Sequence, residues 1–146
     1  MKIDFEDLKH GDLIVWGWAR YPDSLTGPAL ITGSHRGHNG LSIFANVEDD
    51  DEMHTLWGDD DYEDTRTIYK LPSPPLNGVY LKTHPFPAQG GTTAGLIVLT
   101  QRKHPVRPYV VHTCNLANDG FHTSEYFVTL FGAEVVYQER AHVVSV

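Results

Sequence analysis

The stretch that decides the fold reads GLIVLTQ (Gly95–Gln101), RKHPVRP (Arg102–Pro108), YVVHTCN (Tyr109–Asn115), LAND (Leu116–Asp119) and GFHTSEYF (Gly120–Phe127). Three short segments rich in β-branched and aromatic residues are separated by a Pro-flanked basic loop and a turn-forming cluster. That is the pattern of consecutive antiparallel strands. Asn118-Asp119-Gly120 suits a type I turn with Gly120 left-handed, which sets Ala117 opposite Phe121. Tyr109, Val111, Phe121 and Phe127 then share one face. Val128–His142 follows as a helix whose apolar stripe is Phe127, Leu130, Phe131 and Val135. The expectation is a three-stranded meander closed by one helix.

Upstream the chain is also strand-like. Asp12–Ala19 (DLIVWGWA) follows the turn Lys9-His10-Gly11 and is apolar on both faces, with Leu13, Val15 and Gly17 on one and Ile14, Trp16 and Trp18 on the other. It reads as an inner strand. Further strands are expected at Ala29–Gly33, Leu41–Val47, Glu52–Trp57, Thr65–Leu71 and Val79–Thr83. Many short strands at such spacing favour a barrel or sandwich over parallel βαβ units. The segment Leu71-Pro72-Ser73-Pro74-Pro75-Leu76-Asn77-Gly78 reads as extended, polyproline-like chain. The fold expected is therefore mainly β (α+β): an SH3-like small barrel over 1–71, a Pro-rich connector over 72–78, and a β-meander with a C-terminal helix over 79–146. A single merged core is the alternative.

Charge is the second informative feature. Residues 1–64 hold 15 acids against four bases, a net of −11, and residues 65–146 hold four acids against seven bases, a net of +3, within a total of −8. Ten of the 19 acids lie between Glu48 and Asp64: Glu48, Asp49, Asp50, Asp51, Glu52, Asp59, Asp60, Asp61, Glu63 and Asp64. Such a field repels nucleic-acid phosphates and attracts basic surfaces. The acidic run lacks the D-x-D-x-D-G spacing of a calcium loop. No apolar run approaches the ~18 residues of a membrane span, and Met1–Asp7 lacks a basic, apolar leader pattern. One cysteine, Cys114, allows no intrachain disulfide, which suits a cytoplasmic protein.

Nine histidines raise metal and acid–base chemistry. His35 and His38 have an H-x-x-H spacing in a Gly-rich loop and are the only metal candidates. Zinc needs three or four ligands, and the local sequence supplies no third. His112 and His122 sit on adjacent strands, and His122-Thr123-Ser124 fits an H-x-[ST] pattern that His112-Thr113-Cys114 and His54-Thr55-Leu56 do not. With Ala117 opposite Phe121, the two histidines share a face but lie four positions apart, about 13 Å at ~3.3 Å per residue. Cys114, two residues beyond His112, is too far along the strand for a direct hydrogen bond to it and reads as a buried, inert thiol. Gly90–Gly95 is glycine-rich, yet no helix follows it to cradle a phosphate. No cofactor is expected.

Gly11-Asp12-Leu13-Ile14-Val15 and Gly27-Pro28-Ala29-Leu30-Ile31 resemble the Gly-Asp and Arg-Pro-Ala-Leu-Val strands of MazF/PemK-type toxin nucleases, over about twenty residues. The resemblance implies an SH3-like opening strand. It does not imply catalysis, because Gly27 stands where that family carries arginine. The leading expectation is a non-enzymatic acidic binding protein, of the inhibitor or nucleic-acid-mimic kind that small viral or mobile-element proteins use, contacting a basic protein through 48–64. The alternatives are a small histidine- or metal-dependent hydrolase or nuclease, and a structural or assembly subunit.

Overall fold

Among the described residues every strand pairs antiparallel, and these strands fall into two sheets. A computed structural model describes residues 1–18, 21–37, 40–47, 53–57, 66–88 and 93–145. Contacts divide the chain into two units, Met1–Leu71 and Pro72–Val146.

The first unit is a five-stranded sheet of β1 (Leu13–Trp18), β2 (Tyr21–Gly37), β3 (Gly40–Val47), β4 (Met53–Trp57) and β5 (Arg66–Lys70), in the order β4-β3-β2-β1-β5. β2 is 17 residues long. It pairs with β1 from Tyr21 to Leu30 and with β3 from Ala29 to Gly37, changing register at irregularities on both sides. Gly27 lies on the β1 side at φ +126°, where a Cβ would stand 2.8 Å from the Ile14 carbonyl oxygen. Only glycine tolerates both that dihedral and that approach. Leu8, Ile14, Trp16, Ala29, Ile31 and Ile68 form the core of this unit, with Ile3 packed against it.

The SH3-like barrel expected over 1–71 is not formed. β4 and β5 are opposite edges of an open sheet, and no pairing joins them among the described residues. Closure depends on strand tilt and on the stagger accumulated over all strands. Short aromatic strands and a Gly-Asp opening specify pairing but carry no information on that sum.

The Pro-rich segment is extended at Pro74 and then turns. Pro75–Asn77 forms a single 3-10 turn, with Leu76 and Asn77 left-handed, and the Gly78 amide donates to the Pro75 carbonyl at 3.1 Å. The Tyr80 hydroxyl donates to the Pro72 carbonyl at 2.7 Å, a bond within the second unit that spans this turn.

The second unit is a meander of β6 (Val79–Phe86), β7 (Gly95–Gln101), β8 (Tyr109–Asn115) and β9 (Gly120–Phe127), followed by the helix α1 (Leu130–Ser145). Phe86 lies opposite Gly95, and its ring fills the space a Cβ would take there. Ile97, Leu99 and Val111 pack under Ala133 and Tyr137 of α1. Each such aliphatic side chain contributes ~1.5–3 kcal/mol by leaving water. Thr129 precedes the helix, and its hydroxyl accepts the Gly132 amide at 3.1 Å as an N-cap.

Its buried face is not the expected stripe. Phe131 is 78% exposed, and Leu130 and Val135 are also exposed, whereas Ala133, Tyr137 and Ala141 are buried. Two alanines allow close approach to the sheet, and a single tyrosine spans the gap. A hydrophobicity pattern weights large residues and so selects the wrong face.

Candidate functional site

Most of the residues singled out from the sequence do not form a site that the structure describes. Glu48, Asp49, Asp50, Asp51, Glu52, Asp59, Asp60, Asp61, Glu63 and Asp64 all lie outside the described residues, as does His38. Topology still locates the two acidic runs along the chain. One connects β3 to β4, and the other connects β4, at one edge of the sheet, to β5 at the other. His35 pairs with Ser42 in the β2–β3 ladder, and His54 pairs with Ala45 in the β3–β4 ladder. No three His, Cys, Asp or Glu side chains gather around a common point among the described residues.

The second unit brings together residues that the expected register kept apart. The turn is Leu116–Asp119, with Asn115 opposite Gly120, Cys114 opposite Phe121 and Thr113 opposite His122. Asp119, not Gly120, is the left-handed residue. The Asn118 side chain accepts the Gly120 amide at 2.8 Å, and the Asn115 side chain accepts the Ala117 amide at 2.9 Å. These side-chain turns close a four-residue loop, one residue longer than the expected reversal. His112 and His122 are consequently on opposite faces, one position apart, rather than on one face four positions apart.

Beyond His122 the ladder slips again. Val111 pairs with Glu125, so the Thr123-Ser124 pair stands opposite His112 alone in a β-bulge. Thr123 adopts φ +54°, which is rare for a β-branched residue and costs roughly 1–3 kcal/mol. Its hydroxyl shares a 2.9 Å hydrogen bond with Nδ1 of His122. The bulge turns Ser124 onto the His112 face, where its Oγ lies 2.7 Å from His112 Nδ1. The turn, by setting Phe121 opposite Cys114, places it on the His112 face, and its ring meets the His112 imidazole edge-on at 5.5 Å.

His112 is 2% exposed, and its Nε2 is buried without a hydrogen-bond partner among the described residues. Burial, then the charges of Arg140 and Arg102, push its pKa down to about 4. A general base works best with a pKa near the working pH. This imidazole stays unprotonated at neutral pH and is a poor acceptor for the Ser124 proton. The pair positions an exposed hydroxyl and holds the bulge. Burial, reinforced by Asp119, pushes the Cys114 thiol up to about 11, so it carries no thiolate near neutrality.

The second group of residues lies at the loop joining β7 to β8. Arg102 and Pro108 close its base through an amide–carbonyl bond of 2.8 Å, and Arg102 Nε donates to the Arg107 carbonyl at 3.1 Å. His104 Nδ1 accepts the amides of Val106 (3.2 Å) and Arg107 (2.9 Å), which places the ring proton on Nε2. The Arg102 guanidinium stands 4.7 Å from the centre of the Tyr126 ring, a cation–π contact. Arg102, His104, Val106, Arg107 and Tyr126 line a cleft of about 350 Å³.

The chain matches no protein-family model, no curated protein and no solved structure. Function therefore rests on these two clusters and on the charge distribution. Two signals for the clusters were already present in the sequence: the H-x-S triplet at His122–Ser124 and the Pro-flanked run of bases at Arg102–Arg107. The pairing of Ser124 with His112, and of Arg102 with Tyr126, depends on a bulge and a loop closure that no local pattern encodes. No helix is long and apolar enough to cross a membrane among the described residues.

Proposed function

We propose that the chain is a non-enzymatic binding protein that engages a basic protein partner through the acidic surface 48–64. The observation that carries this reading is the placement of ten carboxylates in the two connections that flank a single edge strand, β4. So dense a run of like charge destabilises itself, and a complementary partner offsets that repulsion. The described histidines favour binding over hydrolysis. The one buried imidazole paired with a hydroxyl has its pKa lowered to about 4, away from the range useful for proton transfer. A cytoplasmic setting fits the single unpaired cysteine.

Complementary charge acts mainly on association rate and on its salt dependence. The test is a variant with Asp49, Asp50, Asp51, Asp59, Asp60 and Asp61 all replaced by Asn. Proteins retained from a lysate at moderate salt would be identified, and their association kinetics measured against ionic strength. Folding should be unchanged, on-rate should fall, and the salt dependence should flatten. The same partner captured with an unchanged salt slope would show that the acidic runs are solvated connections and nothing more.

A further inference from the structure

The charges of the second unit are distributed in a way that the acidic surface does not explain. Residues 72–146 carry five bases, Lys82, Arg102, Lys103, Arg107 and Arg140, against four acids. Two of these bases are neutralised within the unit: Lys82 pairs with Glu134 at 3.3 Å and Arg140 with Glu125 at 2.6 Å. The other three fall within the six residues Arg102–Arg107, and none has a carboxylate partner among the described residues.

We propose that the cleft between this loop and Tyr126 binds a phosphate monoester of a small, ring-bearing molecule. The cleft is fixed before any ligand arrives. Arg102 is held at its Nε by the Arg107 carbonyl and on its face by Tyr126, which leaves its terminal nitrogens as donors. His104 spends its acceptor nitrogen on two backbone amides, so it too offers only a donor. Arg107 adds a second guanidinium to the same lining, and no Asp or Glu contributes to it. A wall of donors with no side-chain carboxylate selects an acceptor-rich anion, and planar guanidinium forks match phosphate oxygens two at a time. Little ordering entropy remains to be lost on binding, because the loop is already latched.

The rest of the cleft selects what the phosphate is attached to. Val106 and the Tyr126 ring, both exposed, give this open depression an apolar side, and about 350 Å³ exceeds the needs of an inorganic ion. A long polyanion is disfavoured by the net charge of −8. A monoester brings its charge only to the three donors.

The experiment is an amide NMR titration of the full chain at fixed ionic strength, with three probes: a nucleoside monophosphate, its parent nucleoside and inorganic phosphate. The monophosphate should shift the amides of Arg102, Val106 and Arg107 saturably, and bind at least about tenfold more tightly than either other probe. Arg102→Gln and Arg107→Gln should each weaken it by about tenfold or more; Arg107→Gln, at an exposed side chain, should leave the melting temperature unchanged, whereas Arg102→Gln also removes the bond and the stacking that latch the loop. Arg102→Lys should not restore binding, because an ammonium loses the planar stack and the fork. Absent or non-saturating shifts would overturn the site. Equal affinity for inorganic phosphate would overturn the ester, and equal affinity for the nucleoside would overturn recognition of the anion. The six Asp→Asn changes that test the acidic surface should leave this titration unaltered, so the two readings fail separately.

Discussion

In the second unit each strand pairs with the next along the chain, from β6 to β9, whereas in the first β5 returns to pair with β1, setting Tyr69 against Val15. The two sheets also use glycine differently. Gly27 is needed for its conformation as well as for space, since it combines φ +126° with a 2.8 Å approach to a β1 carbonyl. Gly95 has no such dihedral. It is needed only for space, because a Cβ would meet the Phe86 ring and stand 2.6 Å from the Cys114 carbonyl. A sheet built from neighbours tolerates a packing change that its own side chains can absorb. A sheet whose longest strand serves two partners concentrates its requirements at the crossover.

Substitution at these glycines gives the largest expected effect and the most direct way to break the contrast. Gly27→Ala should cost roughly 2–4 kcal/mol, combining a left-handed penalty with overpacking against backbone. Gly95→Ala should cost about 1–3 kcal/mol. Pairing it with Phe86→Leu should recover part of that loss, because one of the two obstacles is a side chain. Urea denaturation would measure all three. Full rescue of Gly95→Ala by Phe86→Leu would sharpen the contrast. A Gly27→Ala variant as stable as the parent would remove it.

The units differ as much in what their sequences disclose. In the second, the strands at Gly95–Gln101, Tyr109–Asn115 and Gly120–Phe127 are legible from β-branched runs and turn residues, because each interaction is local. The register between the last two is not. Asn115 and Asn118 both bond to nearby amides, and that choice between competing side-chain turns moves Ser124 to His112. In the first unit, β2 looks like one short strand at Ala29–Gly33, yet it runs from Tyr21 to Gly37. Its Pro22 and Gly27-Pro28 read as loop punctuation, and long-range pairing overrides them. Closure into a barrel was illegible for the same reason. The basic loop Arg102–Arg107 could be seen as a charge cluster, but its role as one wall of a cleft needed Tyr126 from β9.

The next effect in size belongs to the buried imidazole. His112 has its pKa lowered from 6.5 to about 4 in the fold, so between those values the unfolded chain binds a proton that the native chain does not. Stability contributed by this site is intact above pH 6.5, falls as pH drops through that value, and has fallen by about 3 kcal/mol once pH is below 4. His112→Leu should remove this component, leaving the variant flatter than the parent between pH 7 and 5. At pH 7 its stability should change by only about 1 kcal/mol, because the substitution also removes a buried, unpartnered Nε2, and the exposed Ser124 hydroxyl exchanges its bond to the imidazole for water. Chemical denaturation at pH 7, 6 and 5 would decide it. Identical slopes for the two proteins would mean that the imidazole is hydrated in the native state.

The smallest expected effect tests the register on which the second unit's site depends. Asp119 occupies φ +59°, and Gly120 sits beside it in ordinary strand geometry with its amide held by Asn118. A turn with Gly120 left-handed would make that glycine irreplaceable and Asn118 expendable. The observed turn reverses the ranking. Asn118→Ala removes the acceptor for the Gly120 amide and should cost about 1 kcal/mol. Asp119→Gly relieves a left-handed dihedral and should be neutral or stabilising by up to about 0.5 kcal/mol, the gain being offset by the extra freedom of glycine in the unfolded chain. Gly120→Ala requires only that the end of the Asn118 side chain give way, and should cost no more than Asn118→Ala itself. Melting curves of the three variants order these effects. If Gly120→Ala proves the most damaging, the turn closes one residue later than described, the bulge at Thr123 shifts with it, and Ser124 no longer meets His112.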